Sequence, residues 1–319
     1  PFYYIQKAHL KWGHKDYDFA LADFATAIEL STDSVQIGRV ISFRAGIFGI
    51  QEKWELCIEE ITKAIAINPK DSYYSNRANY WKEIEDYEKA LADFKKAIEL
   101  DSLNSNYYRY RADCYDNLND YNNSQMDWKM AINLAPKDEF DYTNYEARSF
   151  FYMKNKKYDL AIADLTYIIE SDSANYHDGD DPYWYNIRGR MYLHMKEYNK
   201  AKKDFERSLM FISDLNYVQP DQFEYWVGFR NRTNVAFFGA KAYNGRARLY
   251  FLLGEYEKEK ADYLEAIKLN ANNPESHYYL ALFYMRENMA IKAIVHFASA
   301  IQYFSSTYKH DAHPFVYGY

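Results

Sequence analysis

Apolar and small residues fall three or four positions apart in Tyr17, Ala20, Phe24, Ala27 and Leu30, a spacing that sets them along one face of a helix. The stretch that holds them, DYDFALADFATAIEL (Asp16 to Leu30), returns as DYEKALADFKKAIEL (Asp86 to Leu100), identical at all but four positions. Marked by the residue in the slot of Ala20, the pattern recurs at Cys57, Ala90, Ser124, Ala161, Ala201, Glu259 and Ala293. The steps are 37, 33, 34, 37, 40, 58 and 34 residues. A period near 34 with insertions means one structural unit copied along the chain, which overrides the two mixed domains that length alone suggests.

Each copy carries a second, earlier stripe, as in Tyr74, Ala78 and Trp81 or in Tyr108, Ala112 and Tyr115. Polar turns such as EIED (Glu83 to Asp86) and NLND (Asn117 to Asp120) separate the two stripes. NPKD (Asn68 to Asp71) and APKD (Ala135 to Asp138) follow the second, and their prolines cannot continue a helix. The unit is therefore a helical hairpin, and the pattern requires no β-strand.

Small residues recur where two helices must approach closely, at Ala8, Ala45, Ala78, Ala112, Ser149, Gly189, Ala247 and Ala281 in the first helices. The slot of Tyr17 holds Trp54, Tyr87, Tyr121, Tyr158, Tyr198 and Tyr256. This alternation of small and aromatic residues before a proline resembles the tetratricopeptide repeat family, over nearly the whole chain. Lys11, Glu259, Ile168 and Ala290 depart from the pattern and suggest locally weaker packing. The resemblance implies an all-α, right-handed solenoid over 1–319, with first helices lining a concave groove and second helices forming the back. Repeats are expected at 1–34, 38–71, 71–104, 105–138, 142–175, 182–215, 240–273 and 274–307, with an insertion at 211–240 and a tail at 308–319.

Charge narrows the partners. A net charge of −7 argues against nucleic acid as the main one. Thirty-five tyrosines could signal a binding surface, but many occupy repeat-packing slots. No run of eighteen apolar residues exists to span a membrane. Cys57 and Cys114 sit nearly two repeats apart and read as buried thiols of a reducing compartment, which favours the cytoplasm. The start at Pro1 leaves open a leader or a further domain before it.

The first helices carry Arg44, Arg77, Arg111, Arg148, Arg188 and Arg246, with Lys7 in the first copy. A ladder of arginines could bind phosphates. The second helices, however, carry a matching acidic series, Asp23, Glu60, Asp93, Asp127, Asp164, Asp204 and Asp262, and the eighth copy changes both slots together, to Leu280 and His296. Joint presence and joint loss point to structural pairs, Arg77–Asp93, Arg111–Asp127, Arg148–Asp164, Arg188–Asp204 and Arg246–Asp262, and these arginines are set aside as ligands.

Helical projection puts other residues on the groove face: Asn76 and Asn79, then Arg109, Tyr110 and Asp113, then Glu146 and Phe150, then Asn186 with Arg190 and Asn244 with Arg248. The last two pairs share an Asn-x-x-x-Arg spacing, in NIRGR and NGRAR. Asparagine can hold a peptide backbone while arginine takes a carboxylate. The lysine and asparagine slots of the family's chaperone-binding clamp are not reproduced, so the expectation is a more general peptide with acidic residues.

The insertion contributes Phe211, Tyr217, Phe223, Tyr225, Trp226, Phe229, Phe237 and Phe238, rings that must be buried against helices, the groove or a partner. Asp178, Asp180 and Asp181 lack the spacing of a calcium loop, and His310 and His313 lack further ligands, so no metal is expected. Neither a nucleophile with a base nor a glycine-rich phosphate loop is written in the chain, and no cofactor is implied. Two non-catalytic readings follow: an adaptor that captures an extended peptide in its groove, and a subunit docked into an assembly by the insertion or the back. The sequence leaves the oligomeric state open.

Overall fold

The computed structural model describes residues 1–135, 142–175, 182–215 and 232–307, apart from the side chains at 172–175, 211–215, 232–235 and 305–307. The described residues form sixteen helices and no strand. They run α1 (Phe2–Gly13), α2 (Tyr17–Glu29), α3 (Ser34–Ile50), α4 (Trp54–Ile67), α5 (Asp71–Glu83), α6 (Tyr87–Leu100), α7 (Ser105–Asn117) and α8 (Tyr121–Leu134). After these come α9 (Thr143–Lys154), α10 (Tyr158–Asn175), α11 (Pro182–His194), α12 (Tyr198–Leu215), α13 (Arg232–Leu253), α14 (Tyr256–Leu269), α15 (Pro274–Arg286) and α16 (Ala290–Thr307). The architecture is an all-α solenoid of helical hairpins, divided into two compact units, Pro1–Asn144 and Tyr145–Tyr319.

In the first unit the cores show why one hairpin is not enough. Ala8, Ala20, Phe24 and Ala27 of the first hairpin are buried together with Val40 and Ile47 of α3. Ile41, Ala45, Ile61 and Ala64 of the second close over Tyr73 of α5, and Ala78, Ala90 and Phe94 of the third over Cys114 of α7. Each apolar face is thus completed by the next copy, the physical basis of a solenoid. The second unit repeats the scheme, with Ala247 and Tyr263 packed against Leu280, Phe283 and Tyr284.

Every hairpin turns the same way. The residue two positions before each second helix has positive φ: Lys15, Glu52, Glu85, Asn119, Lys156, Lys196, Gly254 and Asn288. Only one of the eight is glycine, so seven side chains are held in the left-handed region that L-residues disfavour. The sequence marks these turns as polar but gives no sign of that conformation.

Three departures from the repeat pattern keep the packing tight, contrary to expectation. Ile168 is fully buried. Lys11 reaches Asp23 at 2.7 Å. Glu259 is buried, and Arg286 donates to it at 2.5 Å while lying over the rings of Phe251, Tyr256 and Phe283. A charge in a small-residue slot is thus matched by a guanidinium from the next helix, α15. Where Ala20 is replaced by Cys57 or Ser124, the extra atom donates to the carbonyl of Ala45 or Ala112 in the facing helix.

Both cysteines are free and buried, and burial pushes their thiols up, to about 11 at Cys57 and about 12 at Cys114. Neither is a nucleophile at neutral pH. No helix among the described residues is long and apolar enough to cross a membrane. The insertion contributes helix at both ends, to Leu215 in α12 and from Arg232 in α13; 216–231 lie outside the described residues, and so do Asp178, Asp180, Asp181, His310 and His313.

Candidate functional site

Five arginines of the first helices face their aspartates two bonds at a time. The Nε and Nη2 donors lie 2.7 and 2.7 Å from the Asp93 oxygens in Arg77, and 2.6 and 2.8 Å from those of Asp127 in Arg111. Arg148–Asp164, Arg188–Asp204 and Arg246–Asp262 repeat the geometry at 2.6–2.9 Å. Arg44 makes a poorer contact, 3.3 Å from Glu60. Four of the five arginines also lie between two rings of their own helix, three residues before and four after: Tyr108 and Tyr115, Tyr145 and Tyr152, Tyr185 and Tyr192, Tyr243 and Tyr250, all 5.5–6.0 Å from the guanidinium carbon. A guanidinium engaged by a carboxylate and two rings is poorly placed to take a ligand.

The groove-face residues of the first unit are partly engaged by one another. Arg109 lies over the ring of Tyr110, 5.0 Å from its centroid, and Asp113 accepts from Lys82 at 3.2 Å. Burial raises Asp113 above the usual carboxylate range, while Lys82 pulls it down. Asn76 and Asn79 are half-buried on α5; in the second unit, Glu146 and Phe150 are half-buried on α9.

A different picture holds in the second unit. Arg190, Leu193 and His194 of α11, Lys241, Asn244, Gly245, Arg248 and Leu252 of α13, and Glu275 and Tyr279 of α15 line one cavity of about 100 Å³. On α13 these positions are spaced three, four and seven apart, one stripe of the helix. Glycine lets the helices close on this point. A Cβ at Gly245 would lie 2.4 Å from Cε1 of Phe205, and one at Gly189 2.9 Å from the same atom. Both glycines of NIRGR and NGRAR thus rest on the fully buried Phe205 ring of α12.

Projection placed Asn186 and Asn244 on an open face, but both are buried, each 3% exposed. The close approach around Phe205 covers them. The Nδ2 of Asn186 and both side-chain amide atoms of Asn244 have no hydrogen-bond partner among the described residues. An unsatisfied buried amide costs roughly 1–3 kcal/mol, and Asn244 stands in the wall of this cavity.

Charge in the cavity is unbalanced, with Arg190, Lys241 and Arg248 against the single carboxylate of Glu275. Burial pulls the Lys241 ammonium down to about 8; Glu275 pulls the other way and Arg190 adds to the fall. Lys241, Glu275 and Tyr279 escape a reading by repeat template. Lys241 lies at the start of the seventh repeat on α13, and its signal is only its place three residues before Asn244. Glu275 and Tyr279 come from the following hairpin, whose proximity no spacing encodes. Among the described residues no group of three or more His, Cys, Asp or Glu side chains could hold a metal ion.

A family model described as "Tetratricopeptide repeat" matches residues 72–102, 184–213 and 240–273. None of the curated proteins gives a significant match. Among solved structures, the chain is similar to the C-terminal part of a TPR repeat-containing protein from Cytophaga hutchinsonii, with a TM-score of 0.62 and 14% identity over 85% of this chain and 97% of that one. It is also similar to a tetratricopeptide repeat protein from Parabacteroides merdae, with a TM-score of 0.52 and 18% identity over 88% and 97%. At such identities the likeness concerns the fold.

Proposed function

For a chain that carries tetratricopeptide repeats, we propose the role of a non-catalytic protein–protein interaction scaffold, one that captures an extended, acidic peptide segment of a partner at the cavity between α11, α13 and α15. The observation that carries this reading is the meeting of Arg190, Arg248 and the unsatisfied Asn244 amide in one cavity. Arginine takes carboxylates in two-point fashion, and a buried amide matches a peptide backbone. Both cysteines are buried, with thiols pushed well above neutral pH.

A second reading rests on another feature. Ile291, Ile294, Val295 and Ile301 of α16 are 56–81% exposed along one helix, an apolar stripe of the kind that marks protein contacts. In that reading the chain is a subunit docked into a larger assembly.

An array of acidic and neutral peptides separates the two. Arg190→Ala with Arg248→Ala should lose the acidic peptides by about tenfold or more in affinity, about 1.4 kcal/mol. Ile291→Glu with Ile301→Glu should leave them bound. Acidic peptides retained by the arginine variant would sink the first reading.

A further inference from the structure

The last of the second helices breaks a rule that the other seven keep. In those seven the slot of Ile291 holds an exposed acid or asparagine, from Asp18 in the first copy to Glu257 in the seventh. In the eighth it holds an isoleucine that is 81% exposed, and Ile294, Val295, Ala298 and Ile301 carry the exposed stripe on along one face of α16. Resting on the second reading above, in which α16 is a docking surface, we propose that its occupant is the same helix of a second copy of the chain, packed antiparallel across a two-fold axis near position 296.

Two residues of the stripe have ordinary counterparts. Ile294 and Ile301 stand in the slots of Leu21 and Ile28, which pack in the first copy against the core shared with the next hairpin. Ile291 has no such counterpart, because its slot stays exposed in all seven copies that a further hairpin follows. A hairpin stacked on the end of the array would therefore leave Ile291 in water. A helix laid along the stripe covers it together with the other four.

The spacing favours a copy of the same helix as that cover. Ile291, Ile294, Ala298 and Ile301 are separated by three, four and three residues, the same in either direction. A reversed copy thus meets the stripe in register, with Ile291 opposite Ile301 and Ile294 opposite Ala298, the self-complementary contact that a two-fold axis requires. Large then faces small at the centre, whereas a parallel pair would set Ala298 on Ala298 and leave a gap in the packing. Charge agrees with this orientation. Lys292 is the only Lys, Arg, Asp or Glu of α16, so the helix offers little to a charged partner. In the antiparallel pair the two copies of Lys292 stand about 12 Å apart along the axis, beyond the screening length of about 8 Å at physiological ionic strength. A parallel pair sets them side by side, with both helix N-termini together. So few side chains fall well short of a standard interface, which makes this a concentration-dependent dimer that dissociates in the micromolar range.

Sedimentation velocity of the full chain, from about 1 to 300 μM, tests the pairing. The wild-type chain should pass from monomer to dimer over this range. Ile291→Glu with Ile301→Glu should weaken the dimer by about a hundredfold or more and leave the helical circular dichroism unchanged. A dimer that survives both glutamates is held elsewhere and overturns the proposal. Orientation is read by cross-linking. Both native cysteines are buried, so chains with Ile294→Cys or Ala298→Cys each expose one thiol. Under mild oxidation a mixture of these two variants should form the cross-linked dimer, and neither should do so alone; cross-linking of either variant with itself overturns the antiparallel pair. A wild-type chain that stays monomeric throughout overturns the self-pairing, and binding of a solvatochromic apolar dye then separates that failure from failure of the second reading. Dye bound by the wild type and lost in the double glutamate variant leaves the stripe open to a different protein, and the second reading stands. Equal dye binding by the two chains means that the stripe is covered within the chain, by residues 308–319, and the second reading falls as well.

Discussion

At the scale of the residue, the arginine of each first helix is held by more than its charge. Arg111 donates twice to Asp127 and lies between Tyr108 and Tyr115, with side-chain exposures of 19% for the arginine and 7% for the aspartate. Removing one partner of such a pair leaves the other charge buried and unmatched. Arg111→Ala should therefore lower stability by roughly 3 kcal/mol in urea denaturation. Lysine keeps the charge but offers no planar fork to a carboxylate and no flat surface to two rings, so Arg111→Lys should recover less than half of the loss. An unchanged midpoint in Arg111→Ala would show that the pair adds nothing to the fold. The Arg-and-Asp series was legible in the sequence through joint presence and joint loss; the flanking tyrosines were visible only as packing positions, because their second role depends on where the guanidinium lies.

At the scale of the element, the hairpin turn carries a cost that the sequence conceals. Glu85 has φ of 61° and Lys196 of 60°, against 74° at Gly254, which is suited to it. An L-residue in this region loses roughly 1–2 kcal/mol relative to its preferred conformations, whereas glycine enters it freely but gains entropy when unfolded. Glu85→Gly and Lys196→Gly should each raise stability by about 0.5–1 kcal/mol, and Gly254→Ala should lower it by about 1 kcal/mol or more. Thermal denaturation of the three variants checks this. Destabilisation by both glycine substitutions would mean that side-chain contacts at the turn outweigh backbone strain. Helix ends elsewhere follow local signals. Asp86 and Asp120 accept from the backbone N–H three residues on, Asn104 and Asp33 from that two on, and α4 stops before Pro69.

At the scale of the whole molecule, each hairpin depends on its neighbours, so stability is expected to vary along the array. The last hairpin differs most. Where earlier copies place an arginine and an acid, it places Leu280 and His296, and His296 Nδ1 lies 2.9 Å from Nδ1 of His277. His277 Nε2 faces the carbonyl of Ala271 at 3.0 Å and so carries the proton, which leaves its Nδ1 to accept from His296. Burial and the neighbouring His277 hold His296 below its usual range. A base whose pKa is depressed by folding resists protonation in the native state, so stability is full above the unfolded value of about 6.5 and falls as pH drops through it. Hydrogen exchange should show α15 and α16 opening more readily at pH 5 than at pH 7.5, with α5 and α6 little changed. Equal response of the two hairpins would remove the histidine pair as the cause.

The sequence by itself determined the hairpin, its period and the pairing of the arginines with the acids, because these rest on local helix periodicity and on comparing one copy with another. It also pointed to Arg190, Asn244 and Arg248, since their spacing repeats. Only the tertiary structure decided that these three share one cavity, that Asn186 and Asn244 are buried, and that Lys241 and Glu275 join them. Those outcomes turn on how closely α11 and α13 approach across Phe205 and on what α15 brings alongside. Such distances are set by packing between copies, and a periodic pattern records which face is buried but not what that face meets.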